Sequence, residues 1–85
     1  MAQAIPSISG MQLIRLLKRG GFVDGRKSRH GRTLTKRLPE GITVVTFVPE
    51  TRADLAAGTL AAILGPRQTR LGRQGLLALI REHGL

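Results

Sequence analysis

The stretch ITVVTFV, residues 42–48, restricts the fold of this chain most, because a run rich in β-branched residues favours a strand over a helix. The residues just before it, LPEGI, contain Pro39 and Gly41, which suit a tight turn. Residues 30–38 carry Thr33, Leu34 and Thr35 and predict a partner strand. We therefore expect a β-hairpin, with Pro49 ending its second strand. A weaker strand is expected over residues 22–27, where Asp24 and Gly25 oppose it.

Three helices are predicted around these strands from apolar residues at helical spacing. The first lies within residues 7–21, with Ser9 as N-cap and Gly20 and Gly21 as its stop. The second develops within residues 49–64, and the third within residues 73–83. The core positions expected on them are Leu13, Leu16, Leu17, Leu60, Ile63, Leu64, Leu76, Leu79 and Ile80. The order α-β-β-β-α-α predicts an α+β fold with a three-stranded antiparallel sheet and helices on one face.

A chain of 85 residues predicts a single domain, here with a loose N-terminal segment over residues 1–8. It has no cysteine, which excludes disulfides, thiolate metal sites and cysteine nucleophiles. No secretory signal or apolar stretch of membrane-spanning length is evident, so we expect a cytoplasmic protein without a membrane partner.

Positive charge dominates the composition, with 14 Lys and Arg against five Asp and Glu and a formal net charge of +9. Between residues 15 and 37 there are nine basic residues and one acid, Asp24. Such a concentrated field favours a polyanion, above all a nucleic acid, although an acidic protein partner would also satisfy it.

Several kinds of site are not supported by the sequence. The acids are scattered and the two histidines lie far apart, so no metal or cofactor site is expected. The segment GPRQTRLGR lacks the ending of a phosphate-binding loop. Phe22 and Phe47, the two aromatic residues, fit a core pattern, which argues against folds that stack bases on exposed rings. We therefore expect contact with nucleic acid through phosphates and shape.

His30 lies within GRKSRHGRT, among arginines and a lysine. Imidazole exchanges protons near neutral pH and can activate the 2′-hydroxyl of RNA or protonate a leaving 5′-oxygen without a metal. Neighbouring cations would stabilise the charge that develops on the phosphate. The simpler alternative is a polar surface histidine. His83, next to Glu82 in the last helical turn, is interpreted as a charge partner.

The segments LIRLLKRGGFV, the basic strand with its single histidine, and AGTLAAIL together resemble the HicA toxin family. The ending GPRQTRLGRQGLLALIREHGL is similar to the longer branch of that family, so residues 65–85 are interpreted as a C-terminal extension helix. The resemblance covers nearly the whole chain from Ser9 onward. It implies a fold like that of double-stranded-RNA-binding domains.

The resemblance also implies function. HicA proteins are mRNA interferases of type II toxin–antitoxin systems, so it implies a metal-independent endoribonuclease that cleaves mRNA with a strand histidine. That histidine is His30 here, and a HicB-type antitoxin is the implied protein partner. The main alternative is a non-catalytic RNA-binding module of the same fold. A basic subunit that only docks an acidic protein is a third.

Phosphate-binding roles follow from charge and from proximity to His30 in the sequence. Arg26, Lys27 and Arg29 are expected near the scissile phosphate, with Arg32 and Lys36 extending the track along the strand. Lys18 and Arg19 of the first helix are expected to hold the RNA backbone further out. The loop carrying Arg67, Arg70 and Arg73 suits either an extended RNA site or a partner interface, and the sequence does not decide between them.

Overall fold

The predicted order of elements is confirmed. The computed structural model describes residues 5–85, except for the side chain of Lys27. Its elements are α1 (Gly10–Arg19), β1 (Val23–Lys27), β2 (Gly31–Arg37), β3 (Thr43–Pro49), α2 (Ala57–Leu64) and α3 (Gly72–His83). The fold class is α+β, with one open three-stranded sheet and three helices. In residues 5–85 no helix is both long and apolar enough to cross a membrane.

The sheet is antiparallel throughout and has the order β1-β2-β3, so β2 is the central strand. The hairpin of β2 and β3 turns through Pro39, Glu40 and Gly41, and Gly41 adopts a positive φ of 91° that glycine accepts easily. The Leu38 amide donates to the Ile42 carbonyl at 2.7 Å. This turn sets a regular register in which Leu34 lies opposite Thr46.

All three helices lie on one side of the sheet. α1 and α2 pack on the strands, and α3 packs on α1 and α2. Alternate residues of the strands therefore divide between two faces. The helix face carries Asp24, Arg32, Leu34, Lys36, Val44, Thr46 and Val48. The open face carries Val23, Thr33, Thr35, Arg37, Thr43, Val45 and Phe47.

α1 begins and ends as predicted. Ser9 is its N-cap: the Gln12 amide donates to the Ser9 hydroxyl at 3.1 Å, and the Gln12 side chain accepts from the Ser9 amide at 2.9 Å. This reciprocal pair satisfies two helix-end donors. The C-cap is Gly20, and the predicted leucines of this helix are buried.

Residues 5–8 are joined to the segment before α2 and are not loose chain. Ile8 is buried, and its carbonyl accepts from the Leu55 amide at 2.8 Å. Ile5 is half-buried against the core. Part of the segment expected to be loose is therefore packed, while residues 1–4 of it lie outside the described part. α2 also begins later than the start of the 49–64 segment, at Ala57.

The second half of the chain supplies the remaining core. Leu60, Ile63, Leu64 and Leu76 are buried as expected. In α3 the orientation differs slightly from the prediction, since Leu77 is buried whereas Leu79 and Ile80 are half-buried. Between α2 and α3, the Thr69 hydroxyl donates to the Ile63 carbonyl at 2.8 Å, so this interhelical loop is tied back to the helix it leaves.

Two glycines in the first turns of helices test how α1 is positioned. A Cβ on Gly10 would overlap the carbonyl oxygen of Pro49, whereas a Cβ on Gly58 in α2 would meet nothing within 4 Å. We expect Gly10→Ala to destabilise the fold by about 1–3 kcal/mol through overpacking. Gly58→Ala should stabilise it by about 0.4–1 kcal/mol, because alanine restricts the unfolded chain. Urea unfolding followed by circular dichroism measures both, and equal effects of the two would contradict this packing.

Candidate functional site

His30 lies in the turn that joins β1 to β2, one residue before β2 begins. The Ser28 amide donates to the Gly31 carbonyl at 2.9 Å, which leaves Arg29 and His30 as the two central residues of the turn. The Ser28 hydroxyl accepts from the His30 amide at 3.3 Å and donates to the Gly31 carbonyl at 3.3 Å. His30 is exposed. The predicted strand therefore begins one residue later, and the imidazole belongs to a turn held by Ser28.

β1 contains a bulge next to this turn. Asp24 pairs with Leu34 and Lys27 pairs with Arg32, so two residues of β1, Gly25 and Arg26, stand opposite the single Thr33. Bulges bend a strand and redirect its side chains. The structure therefore explains why a strand with Asp24 and Gly25 still forms, since the irregularity falls at Gly25.

The predicted phosphate-binding residues divide into two groups. Arg26 and Arg29 are exposed at the end of β1 and in the turn, close to His30 along the chain. Lys27 has its backbone in β1, and its predicted RNA contact lies outside the described side chains. The other four, Lys18, Arg19, Arg32 and Lys36, are engaged in contacts within the protein.

Asp24 is the centre of a charge network on the helix face. Lys18 Nζ lies 2.7 Å from Asp24 Oδ2, and Arg32 Nη1 lies 3.3 Å from Asp24 Oδ1. Arg32 Nη2 also lies 3.5 Å from Glu50 Oε1. The Arg32 side chain is only 23% exposed, and its Nε is buried without a hydrogen-bond partner among the described residues. This network ties α1 to β1 and β2.

Lys36 and Arg19 each donate a hydrogen bond to a carbonyl at the C-terminal end of a helix. Lys36 Nζ donates to the Gly20 carbonyl at 2.8 Å and lies 5.8 Å from the centre of the Phe22 ring. A cation at this position satisfies a helix C-terminal carbonyl and the helix dipole. Arg19 Nη1 donates to the His83 carbonyl at 3.2 Å and so joins α1 to the end of α3. Both cations stabilise helix ends.

His83 occupies the last turn of α3, and its Nε2 lies 3.9 Å from Glu82 Oε2. His83 thus lies in the last helical turn beside Glu82, where the sequence placed it. The chain's second histidine therefore has a local electrostatic partner at the C-terminal end of α3.

Phe47 does not belong to the core, and the prediction that both aromatic rings are buried was wrong for it. Phe22 is buried, but Phe47 is 43% exposed on the open face. Thr46 is buried instead, and its hydroxyl hydrogen-bonds to Gln68 Oε1 at 2.5 Å. A Cβ on Gly31 would lie 2.7 Å from Phe47 Cζ, so the tip of the ring covers the residue that follows His30.

An open cleft of about 670 Å³ lies beside α1, outside the His30 turn. Its charged lining is mixed, with Arg15, Lys18, Arg32 and Arg52 alongside Glu50 and Asp54. A polyanion would meet both signs there. Arg26 and Arg29, the exposed cations at the turn, suit phosphate better than this cleft does. Asp24, the carboxylate of β1, is paired with Lys18 and Arg32 and so does not compete with phosphate for these two arginines.

In residues 5–85 no three His, Asp or Glu side chains lie close enough together to hold a metal ion. Comparison of the chain with protein-family models, with curated proteins and with solved structures finds no match.

The Asp24 network makes the free energy of unfolding depend on pH in the acid range. The hydrogen bond from Lys18, then that from Arg32 and the charges of both, lower the pKa of Asp24 below its ordinary value of 3.8 despite partial desolvation. The folded state therefore binds fewer protons than the unfolded state. The stabilisation is complete above pH 3.8 and is lost as pH falls through the lower folded pKa.

We expect Asp24→Asn to unfold more readily than wild type at neutral pH, with the difference shrinking as pH falls below about 4. Urea midpoints measured between pH 7 and pH 2.5 test this expectation. Glu40→Gln, which removes an exposed carboxyl in the β2–β3 turn, is the control. An Asp24→Asn deficit that stays constant down to the lowest pH would contradict the role of the carboxylate charge.

Proposed function

We propose that this chain is a toxin of the HicA type, a metal-independent endoribonuclease that cleaves mRNA in the cytoplasm with His30 as its general acid or base. The observation that carries the proposal is the placement of His30, an exposed imidazole in a short turn, directly after Arg29 and four residues after Arg26. Turns on a rigid scaffold are common positions for catalytic groups. The resemblance of the chain to HicA toxins supplies the reaction.

The reaction transfers the phosphoryl group within the RNA. The 2′-oxygen attacks the adjacent phosphorus and the bond from phosphorus to the 5′-oxygen breaks, leaving a 2′,3′-cyclic phosphate and a 5′-hydroxyl. His30 either accepts the 2′-hydroxyl proton or donates a proton to the 5′-oxygen, and water serves the other position. An exposed turn admits the RNA chain from solvent, as this chemistry requires.

Arg26 and Arg29 are proposed to stabilise the negative charge of the transition state. The dianionic phosphorane carries more negative charge than the starting diester, so cations beside it lower the barrier. Both guanidinium groups are exposed. In the proposed site they bind the scissile phosphate and its neighbour, whereas Arg32 and Lys36 maintain the fold beneath.

A HicB-type antitoxin is the proposed protein partner. The exposed turn and its arginines offer a compact cationic surface, and acidic side chains placed over it would both bind tightly and exclude RNA. Inhibition would then follow from occupation of the site.

Cleavage of a long mRNA in excess EDTA tests the catalytic role. We expect wild type to cut and His30→Ala to lose at least about 100-fold in rate, since general acid–base catalysis contributes about that much or more. His83→Ala, which removes the chain's other imidazole, should cut normally. Circular dichroism and RNA affinity should be unchanged in His30→Ala.

Equal cutting by wild type and His30→Ala would assign the activity to another residue or to a contaminant. RNA binding without cutting by wild type would favour the non-catalytic RNA-binding module. Failure to bind RNA at all would favour a subunit that docks an acidic protein.

Salt dependence tests how the cations divide their roles. Each phosphate contact to single-stranded RNA contributes about 0.7 to the slope of log affinity against log salt. We expect Arg26→Gln and Arg29→Gln each to reduce the slope by about this amount. Lys36→Gln should leave the slope unchanged and instead destabilise the fold by about 1.5–3 kcal/mol, through loss of its charged hydrogen bond to Gly20. A normal slope in both turn variants would place the RNA elsewhere.

A further inference from the structure

The open face of the sheet exposes an aromatic ring and two valines. Phe47 is 43% exposed, and it is flanked along β3 by Val45, which is 49% exposed. Across the sheet, Val23 is 64% exposed. The helices cover the opposite face, so no helix of the described chain packs over this one. Exposed apolar patches rimmed by polar groups mark interaction sites.

The neighbours of Phe47 leave its ring accessible. Phe47 lies opposite Thr33 of β2 in the sheet. Gly25 of β1 lies on the other side of Thr33, since a Cβ on Gly25 would be 3.4 Å from Thr33 Cγ2. Towards the turn, the ring tip lies over Gly31. Both glycines lack a side chain that could cover the ring. Phe47 therefore keeps 43% of its surface exposed beside Thr33 and these two glycines.

The position of the ring connects it to the proposed site. Gly31, which the ring covers, is the first residue of β2 and directly follows His30. A nucleotide whose phosphate is held at the turn would therefore have its base within reach of the ring. Stacking on aromatic side chains is a general mode of binding unpaired bases, because every base has a π face.

Charge favours RNA over a protein as the occupant. Arg26 and Arg29 are exposed at the turn end of the sheet, and Arg37 lies on the open face at the other end of β2. Asp24 and Glu50, the acids nearest to β2, pair with Arg32 on the helix side. No carboxylate projects from the strands on the open face among the described residues. A base on Phe47 with its phosphates on these arginines satisfies both features.

We propose that Phe47 is a stacking platform for an unpaired nucleobase of single-stranded RNA, next to the phosphate held at the His30 turn. This inference rests on the proposed function for its substrate class. It makes the site selective for unpaired RNA, since a base inside a duplex is already stacked on both sides and cannot present a face to the ring.

Affinity measurements in a His30→Ala background test the platform without cleavage of the probe. The probes are fluorescein-labelled single-stranded oligo(A) and a ribose-phosphate oligomer of the same length that lacks bases. We expect Phe47→Leu to weaken oligo(A) binding by about 5- to 150-fold, as loss of one stacked base predicts. Binding of the abasic oligomer should not change, and Phe47→Tyr should retain the wild-type affinity for oligo(A). Val45→Thr, an isosteric change on the same face, is the matched control and should have little effect.

Unchanged oligo(A) affinity in Phe47→Leu would overturn the platform, as would an equal loss for the abasic oligomer. An equal loss in Val45→Thr, or a wild-type dimer that Phe47→Leu dissociates in sedimentation equilibrium, would instead make this face a protein interface and would also overturn it. The two proposals fail separately. If His30→Ala loses cleavage but Phe47→Leu binds oligo(A) normally, the nuclease proposal stands and the stacking platform is overturned. If the wild-type protein does not cut RNA but Phe47→Leu weakens binding of oligo(A) and not of the abasic oligomer, the platform stands and the nuclease proposal is overturned.

Discussion

Leu34 is fully buried in the middle of the central strand, and this burial determines which face of the sheet every neighbouring side chain occupies. Because side chains alternate along a strand, Arg32 and Lys36 must share the helix face with Leu34. Both are cations beside the core: Arg32 pairs with Asp24, and Lys36 donates to the Gly20 carbonyl. The same alternation sends the threonines between them to the open face. The division of charged and polar side chains of β2 between the two faces follows from this apolar residue.

The fold is largely predictable from local signals, whereas the division of charges is not. Ser9, the paired glycines after α1 and the apolar spacing of α2 each indicate an element from a few neighbouring residues. The basic residues between 15 and 37 look like one continuous track in the sequence. Only three-dimensional pairing shows that Lys18 and Arg32 meet one carboxylate, Asp24, which unites α1, β1 and β2.

Phe47 shows a different reason for a wrong prediction, since the signal that locates it was present in the sequence. Hydrophobicity alone favours burial of Phe47 over Thr46. The short turn through Pro39 and Gly41, however, places Thr46 opposite Leu34, and a residue opposite a buried one shares its face. What the sequence does not reveal is the partner that makes a buried hydroxyl tolerable, the Gln68 side chain from the loop after α2.

The two faces of the sheet differ in what surrounds their charged side chains. On the helix face, cations are held by carboxylates and carbonyls, so their positive charge is largely compensated within the protein. In the turn and on the open face, Arg26, Arg29 and His30 meet solvent, beside an aromatic ring that adds nothing to the core. An exposed ring and unshared cations cost stability or contribute none, so the helix face must supply the free energy of folding. This division allows the exposed side chains of the turn to vary while the sheet beneath keeps its register.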